Sequence, residues 1–182
     1  MTVLASRGQL RASFLRWALV IVPAVLLAGF LSAQVAGSAA DNPWFASLAK
    51  PAIYPAPRVF AIVWPVLYAL MGVALTLVIT ARGARGRGWA IALFGVQLAL
   101  NLAWSPLFFA AHRIEASLWL LVALDLAVLA TIALFWRVRT TAALLLLPYL
   151  AWIGFATWLN LEFLRANPGA GEARSATTRI EL

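Results

Sequence analysis

The sequence predicts an all-α membrane protein, a bundle of five transmembrane helices. Three observations carry that prediction. Hydrophobic residues make up 64% of the chain and charged residues 11%, where a soluble domain is about half apolar and about a quarter charged. The apolar residues fall into five continuous runs rather than an alternating pattern, which selects helices over barrel strands. Each run has about 20 residues, the length a helix needs to cross the hydrocarbon core.

The first run extends from about Trp17 to Ala36. Arg7, Arg11 and Arg16 precede it, and the small residues Ser38 to Ala40 follow it. That layout also fits a cleaved leader. The run is longer than the apolar part of such a leader, so a retained helix is expected. The second run covers Val59 to Thr80, the third Trp89 to Ala111, the fourth Ala116 to Trp136 and the fifth Ala142 to Leu164. Short basic links join the last four and impose antiparallel neighbours. The first connection, Gly37 to Arg58, is long and holds Pro43, Pro51, Pro55 and Pro57. Prolines stiffen it and oppose continuous helix. Its Trp44, Phe45 and Tyr54 have no place in a solvated linker, and a long loop with such content is expected to be functional. The chain thus divides into an N-terminal basic segment (1–15), a five-helix transmembrane domain (16–165) and a C-terminal tail (166–182). The tail is rich in Gly, Ala, Ser and Thr and is expected to be flexible.

The net charge is +8. Nucleic-acid binding is a poor explanation, because the arginines cluster between apolar runs, where they orient helices in a membrane. Arg7, Arg11, Arg16, Arg82, Arg85, Arg87, Arg137 and Arg139 fall on one side. Lys50, Arg58, Arg113, Arg165, Arg174 and Arg179 fall on the other. The bias puts the N-terminus in the cytoplasm. Cysteine is absent, so thiolate metal sites, disulfides and a Cys nucleophile are excluded.

Polar residues inside the runs are the candidates for function. Gln97, Asn101 and Ser105 are spaced by four and form one stripe of the third helix. Gly95, Ala99 and Ala103 form a second stripe, about 200° away at 100° per residue. Small residues suit close helix packing, inside the bundle or across a homodimer. The amides must face inward, because an unpaired amide in lipid is costly. They either bond neighbouring helices or line a cavity. Pro106 frees a backbone carbonyl near Leu102 and is expected to bend the helix. In the second helix Trp64, Tyr68 and Gly72 share a stripe. In the fifth, Tyr149 and Trp152 share a face that continues to Ala156, Leu159 and Asn160. Three helices therefore present aromatic and polar faces, which suit a flat, apolar, π-rich ligand.

Asp125 falls in the middle of the fourth run, and a carboxylate there must be paired, hydrated or protonated. Glu162 is near a helix end, within reach of the interface. The lone His112, beside Arg113, has no companion ligands for a metal. No Ser-His-Asp set, phosphate loop or carboxylate cluster appears, so no metal site is expected.

Taken in order, WFASLAKP, VFAIVWPVLYALMG, QLALNLAWSPLFF and LPYLAWIGFATWLN resemble the tryptophan-rich sensory protein or translocator protein family (TspO/MBR), over residues 20 to 165. The resemblance implies a five-helix bundle that forms a homodimer. It implies a cavity under the first loop that takes a porphyrin, such as protoporphyrin IX or haem, as ligand, with no required cofactor. Trp64 and Trp152 are similar to the cavity tryptophans linked to porphyrin binding and degradation, and are the candidates for any catalytic role. Trp44 and Phe45 match the loop aromatic pair. Tyr68, Asn101, Trp104 and Ala156 match other lining positions, and Lys50 with Pro51 matches a loop element. Tyr149 joins the list from its face. The loop departs from the family pattern at Ile53, Pro55-Ala56 and Arg58, where Arg58 could meet a propionate. Phe163 stands where the sterol pattern wants Tyr, so sterol binding is not expected. The absence of an obvious axial His or Cys favours a metal-free porphyrin, or loosely held haem. A receptor or carrier for tetrapyrroles leads. Light-dependent porphyrin degradation, a proton-coupled small-solute exporter using Asp125, and a helical scaffold that binds only partner proteins are the alternatives.

Overall fold

The computed structural model describes residues 6–37 and 42–170. Within them the elements are α1 (Arg7–Val35), α2 (Pro43–Ser47), α3 (Pro57–Thr80), α4 (Arg87–Ser105), α5 (Ile114–Val138), α6 (Thr140–Leu145) and α7 (Leu147–Ala166). A π-helical turn, Pro106–Ala110, continues α4. Five stretches are long and apolar enough to cross a membrane: α1, α3, α4 with its π turn, α5, and α6 with α7. The five-helix bundle expected from the sequence is the fold. Large apolar side chains such as Leu19, Val35, Ile62, Trp119 and Leu126 stay exposed on its outside, as lipid-facing surfaces do.

Two boundaries differ from the sequence reading. The first helix begins at Arg7, well before Trp17, so most of the expected basic segment is already helix. Ser6 caps it: its hydroxyl accepts from the Gln9 N–H at 3.2 Å, and Gln9 Oε1 accepts from the Ser6 N–H at 2.8 Å. That reciprocal pair satisfies two otherwise open donors, and arginine extends a helix readily. At the other end, Asn167 belongs to the fold rather than to a tail. It accepts from the Ala49 N–H at 2.8 Å and donates to the Ala49 carbonyl at 3.1 Å. The small-residue stretch Ser38 to Ala40, and the tail beyond residue 170, lie outside the described residues.

α1 lies along α3, α4 along α5, and α5 along α7. Gly72 sets the first of these contacts: a Cβ there would stand 2.8 Å from Val22 Cα. Gly29 likewise leaves room for the Tyr68 ring. Leu67, Met71, Ala74 and Val78 of α3 and Leu121, Leu124, Val128 and Phe135 of α5 fill the core at helical spacing. Thr76, Ser117 and Thr131 are buried as well. Their hydroxyls donate to the carbonyls of Gly72, Arg113 and Ala127, one turn back, so burial strands no donor.

Prolines break the helices at two depths. Pro106 cannot donate to Leu102. The freed Leu102 carbonyl accepts instead from the Ser32 hydroxyl of α1, at 2.6 Å. The chain then takes a π turn, one way of absorbing such a mismatch. Pro148 similarly follows the break at Leu146 that divides the last span into α6 and α7.

Gly72→Val should drive α1 off α3. Overpacking against backbone costs about 1–3 kcal/mol, so its melting temperature in detergent should fall, by roughly 2–4 °C per kcal/mol at this chain length. Gly154→Ala, where a Cβ meets nothing within 4 Å, should hold or raise it. Equal melting for the two variants would remove Gly72 as the contact that seats α1.

Candidate ligand-binding site

The site is built on α3, α4 and α7 and roofed by the first loop. On α4, both stripe amides are buried, Gln97 at 1% and Asn101 at 5% exposure. Each meets a tyrosine from a different helix. The Tyr68 hydroxyl of α3 donates to Asn101 Oδ1 at 2.7 Å, and the Tyr149 hydroxyl of α7 donates to Gln97 Oε1 at 3.0 Å. One turn further, the Trp104 indole N–H donates to Asn160 Oδ1 at 3.2 Å, and Asn160 donates to the Ile114 carbonyl at 2.9 Å. The polar stripe thus ties α3, α7 and the start of α5 to α4.

Aromatic rings continue from this polar centre toward the loop. Trp64 stacks on Tyr68 with centroids 5.4 Å apart and meets Trp152 edge-on at 6.4 Å. Trp152 meets Phe60 at 5.7 Å, and Phe60 stacks on Tyr54 at 5.6 Å. Phe45 of α2 then packs against Tyr54, Phe108, Phe109 and Phe163. Trp104 closes the line from beneath, stacked on Phe108 at 5.1 Å.

Three groups hold the roof. Asn42 caps α2 by accepting from the Phe45 N–H and donates to the Phe109 carbonyl at 3.1 Å. Asn167 grips Ala49 from α7. The Lys50 ammonium donates to the carbonyls of Phe45 and Leu48 and lies 4.3 Å from the Phe45 ring centroid. Lys50 therefore serves the last carbonyls of α2, where a cation is favoured. Desolvation lowers its pKa from the ordinary lysine value and raises that of the Tyr54 phenol.

The sequence-derived candidates fall into four sets. Trp64, Tyr68, Asn101, Trp104, Tyr149 and Trp152 converge, with Ala156 packed beside them in the same core. Phe45 and Lys50 belong to the roof, Phe45 as its buried plug. Trp44 lies at the rim, stacked on His112 at 4.3 Å, and Arg58 is exposed at the start of α3. Gly95, Ala99 and Ala103 are all exposed on the outside of α4. Phe60 and Asn160 complete the site; the sequence placed Asn160 on the Tyr149–Trp152 face without giving it a role, and Phe60 was not among the candidates. Phe60 lies one turn before Trp64 on the same stripe, a signal that spacing alone carried.

Three buried polar atoms have no hydrogen-bond partner among the described residues: Gln97 Nε2, Trp152 Nε1 and Asp125 Oδ1. The other Asp125 oxygen accepts from Thr157 at 2.7 Å. No group of three or more His, Asp or Glu that could hold a metal occurs among the described residues.

Five spanning helices around a buried amide, tyrosine and tryptophan centre define an integral, multi-pass membrane protein. The profile of the TspO/MBR family matches residues 19–165. The tryptophan-rich protein TspO of Chlorobaculum tepidum is 38% identical over 132 residues, covering 69% of this chain and 80% of that protein. Protein CrtK of Rhodobacter capsulatus is 36% identical over 135 residues, covering 69% and 79%. The human translocator protein is 39% identical over 128 residues, covering 69% and 76%. The chain belongs to the TspO/MBR family.

Tyr149→Phe should leave both Gln97 amide atoms without partners and lower stability by about 1–3 kcal/mol, the cost of an unsatisfied buried polar group. Adding Gln97→Leu should recover much of that loss. Melting curves of the two single variants and the double variant measure the coupling. Simple additivity would rule the pair out as an interacting unit.

Proposed function

We propose that this protein is a membrane receptor or carrier for tetrapyrroles, with a porphyrin held between α3, α4 and α7 beneath the first loop. The ligand class comes from the family resemblance. The observation that supports it in this chain is the Trp152 indole N–H, a buried donor without an acceptor in a wall made by Phe60 and Trp64. Gln97 Nε2 is a second such donor across the same core. A flat π-ligand with acceptor atoms on its edge satisfies both needs: ring faces to stack on and an acceptor for a stranded N–H.

The wall rings touch one another, so a macrocycle enters by parting them and lifting the roof. Asn42, Lys50 and Asn167 are the bonds such an opening must release or carry along. Arg58, exposed near the mouth, is free to pair with a propionate. Lys50 can do so only by giving up its carbonyls.

Titrating protoporphyrin IX into the purified protein should quench its tryptophan fluorescence. Trp64→Ala and Trp152→Ala should each weaken binding at least about tenfold, in line with the loss of a stacked aromatic anchor. Parent-like affinity in both variants would sink the assignment, whereas loss in Trp119→Ala, on the lipid-facing side, would point to unspecific partition.

We also propose that the chain works as a homodimer with its N-terminus in the cytoplasm. The arginine bias supports the orientation. The exposed Gly95, Ala99 and Ala103 stripe supports the contact, since small residues let helix backbones approach. Ala99→Cys should form a disulfide-linked dimer on mild oxidation in membranes, and Leu126→Cys on another helix should not. Exclusively monomeric Ala99→Cys goes against this interface.

A further inference from the structure

We propose that the arginine-rich end of the bundle holds an acidic phospholipid in a groove between α1, the end of α3 and the junction after α5. The first support is the length of α1. Its 29 residues span roughly 43 Å at 1.5 Å each, against about 30 Å of hydrocarbon. Its first turns therefore stand in the headgroup layer, and the Ser6–Gln9 cap keeps them helical there.

The second support is shape. Where α1 passes the end of α3, the two helices no longer close on each other. A groove of about 410 Å³ opens there, walled by Leu10, Phe14, Leu15 and Leu77, with Arg11 and Arg139 among its lining. Thr80, also in the wall, already donates its hydroxyl to the Thr76 carbonyl. The wall is thus apolar, and only the guanidinium groups offer donors. A second groove, of about 380 Å³, runs on the other flank of α1 and is lined by Trp17, Val20, Arg16 and Arg82.

The third support is charge. Arg11, Arg16, Arg82, Arg85, Arg137 and Arg139 gather at this end. No carboxylate accompanies them among the described residues. Glu115 begins α5 and Glu162 is near the end of α7, both at the opposite end of the bundle, and Asp125 is midway along α5. The one ion pair among the described residues, Arg165 with Glu162 at 2.7 Å, is also at that opposite end. The anion that balances this cluster comes from outside the described fold.

An acidic phospholipid fits all three features. Its phosphodiester takes the forked donors of Arg11 and Arg139, and an acyl chain lies along Leu10, Phe14 and Leu77. A free phosphate would leave the apolar walls wet. A zwitterionic lipid brings its own cation and gains less from the cluster.

The test uses the full chain in detergent, with native mass spectrometry to count retained lipid. Phosphatidylglycerol should be retained at least tenfold better than phosphatidylcholine, and inorganic phosphate should not displace it. Arg11→Gln/Arg139→Gln should abolish the preference, while Arg11→Lys/Arg139→Lys should keep most of it and Arg165→Gln all of it. Equal retention of the two lipids by the parent, displacement by phosphate, or an unchanged preference in Arg11→Gln/Arg139→Gln each overturns the proposal. If that variant does not fold, a photoactivatable phosphatidylglycerol added to the parent decides. Crosslinks should map to residues 10–15 and 77–80, and crosslinks confined elsewhere refute it.

Discussion

A polar group carried into hydrocarbon has to find its partner inside the bundle, because lipid offers none. The rest of this structure depends on how α4 meets that constraint. It carries two amides, an indole N–H and a proline-freed carbonyl at successive depths. Three other helices answer them: α7 meets Gln97 and, through Asn160, Trp104, α3 meets Asn101, and α1 meets the Leu102 carbonyl. Apolar contact alone distinguishes poorly between neighbours in a membrane, since lipid tails are as apolar as leucine. Directional bonds do distinguish them, so α4 specifies which helix sits where.

The constraint also shapes the site. Once the amides have spent their acceptors on tyrosines, what remains toward the loop is a row of rings and a few donors. Phe45 plugs the row, and asparagines hold its segment at both ends, Asn42 on the π turn and Asn167 on Ala49. The π turn is part of the same construction. Pro106 breaks the regular ladder, and the widened turn carries Phe108 and Phe109 under Phe45. One proline thus produces both the bond to α1 and the floor of the aromatic cluster. A roof tied by a handful of hydrogen bonds can open locally without disturbing the core below.

Much of this was legible in the sequence, and what was not has a common cause. Periodicity located the amide stripe and the small-residue stripe on opposite faces of α4, because the face a residue occupies depends on its own helix. Pro106 announced a freed carbonyl for the same reason. Partners are a property of two elements, and single-helix spacing carries no information about them. Hence Ser32 and Thr157 went unassigned, and Asn160 was placed on its face without its partners, although each type was visible. Asn42 and Asn167 were hidden differently: an asparagine in a loop has many local uses, and only the folded chain shows which carbonyl it reaches. The early start of α1 was missed because arginines before an apolar run signal an interface and a helix equally well. The family resemblance supplied the porphyrin; nothing in the spacing did.

The two ends of the bundle divide the chemistry. The loop end is aromatic, sets Glu115 and Glu162 among its cations, and is sealed by hydrogen bonds to backbone. The opposite end is cationic and open, with its carboxylates absent among the described residues. α1 connects them. It donates Ser32 to α4 at the loop end, passes Gly72 in the middle with Gly29 making room for Tyr68, and lines both arginine-rich grooves with its first turns. A lipid wedged beside Leu10 and Phe14 would therefore press on the same helix whose far half makes room for Tyr68 of the Tyr68–Asn101 bond. Coupling between the ends needs no chain of contacts beyond α1 itself, provided the helix moves as one body. Its unbroken run from Arg7 to Val35, with Pro23 its only internal proline, makes Pro23 the place where such a movement would be absorbed.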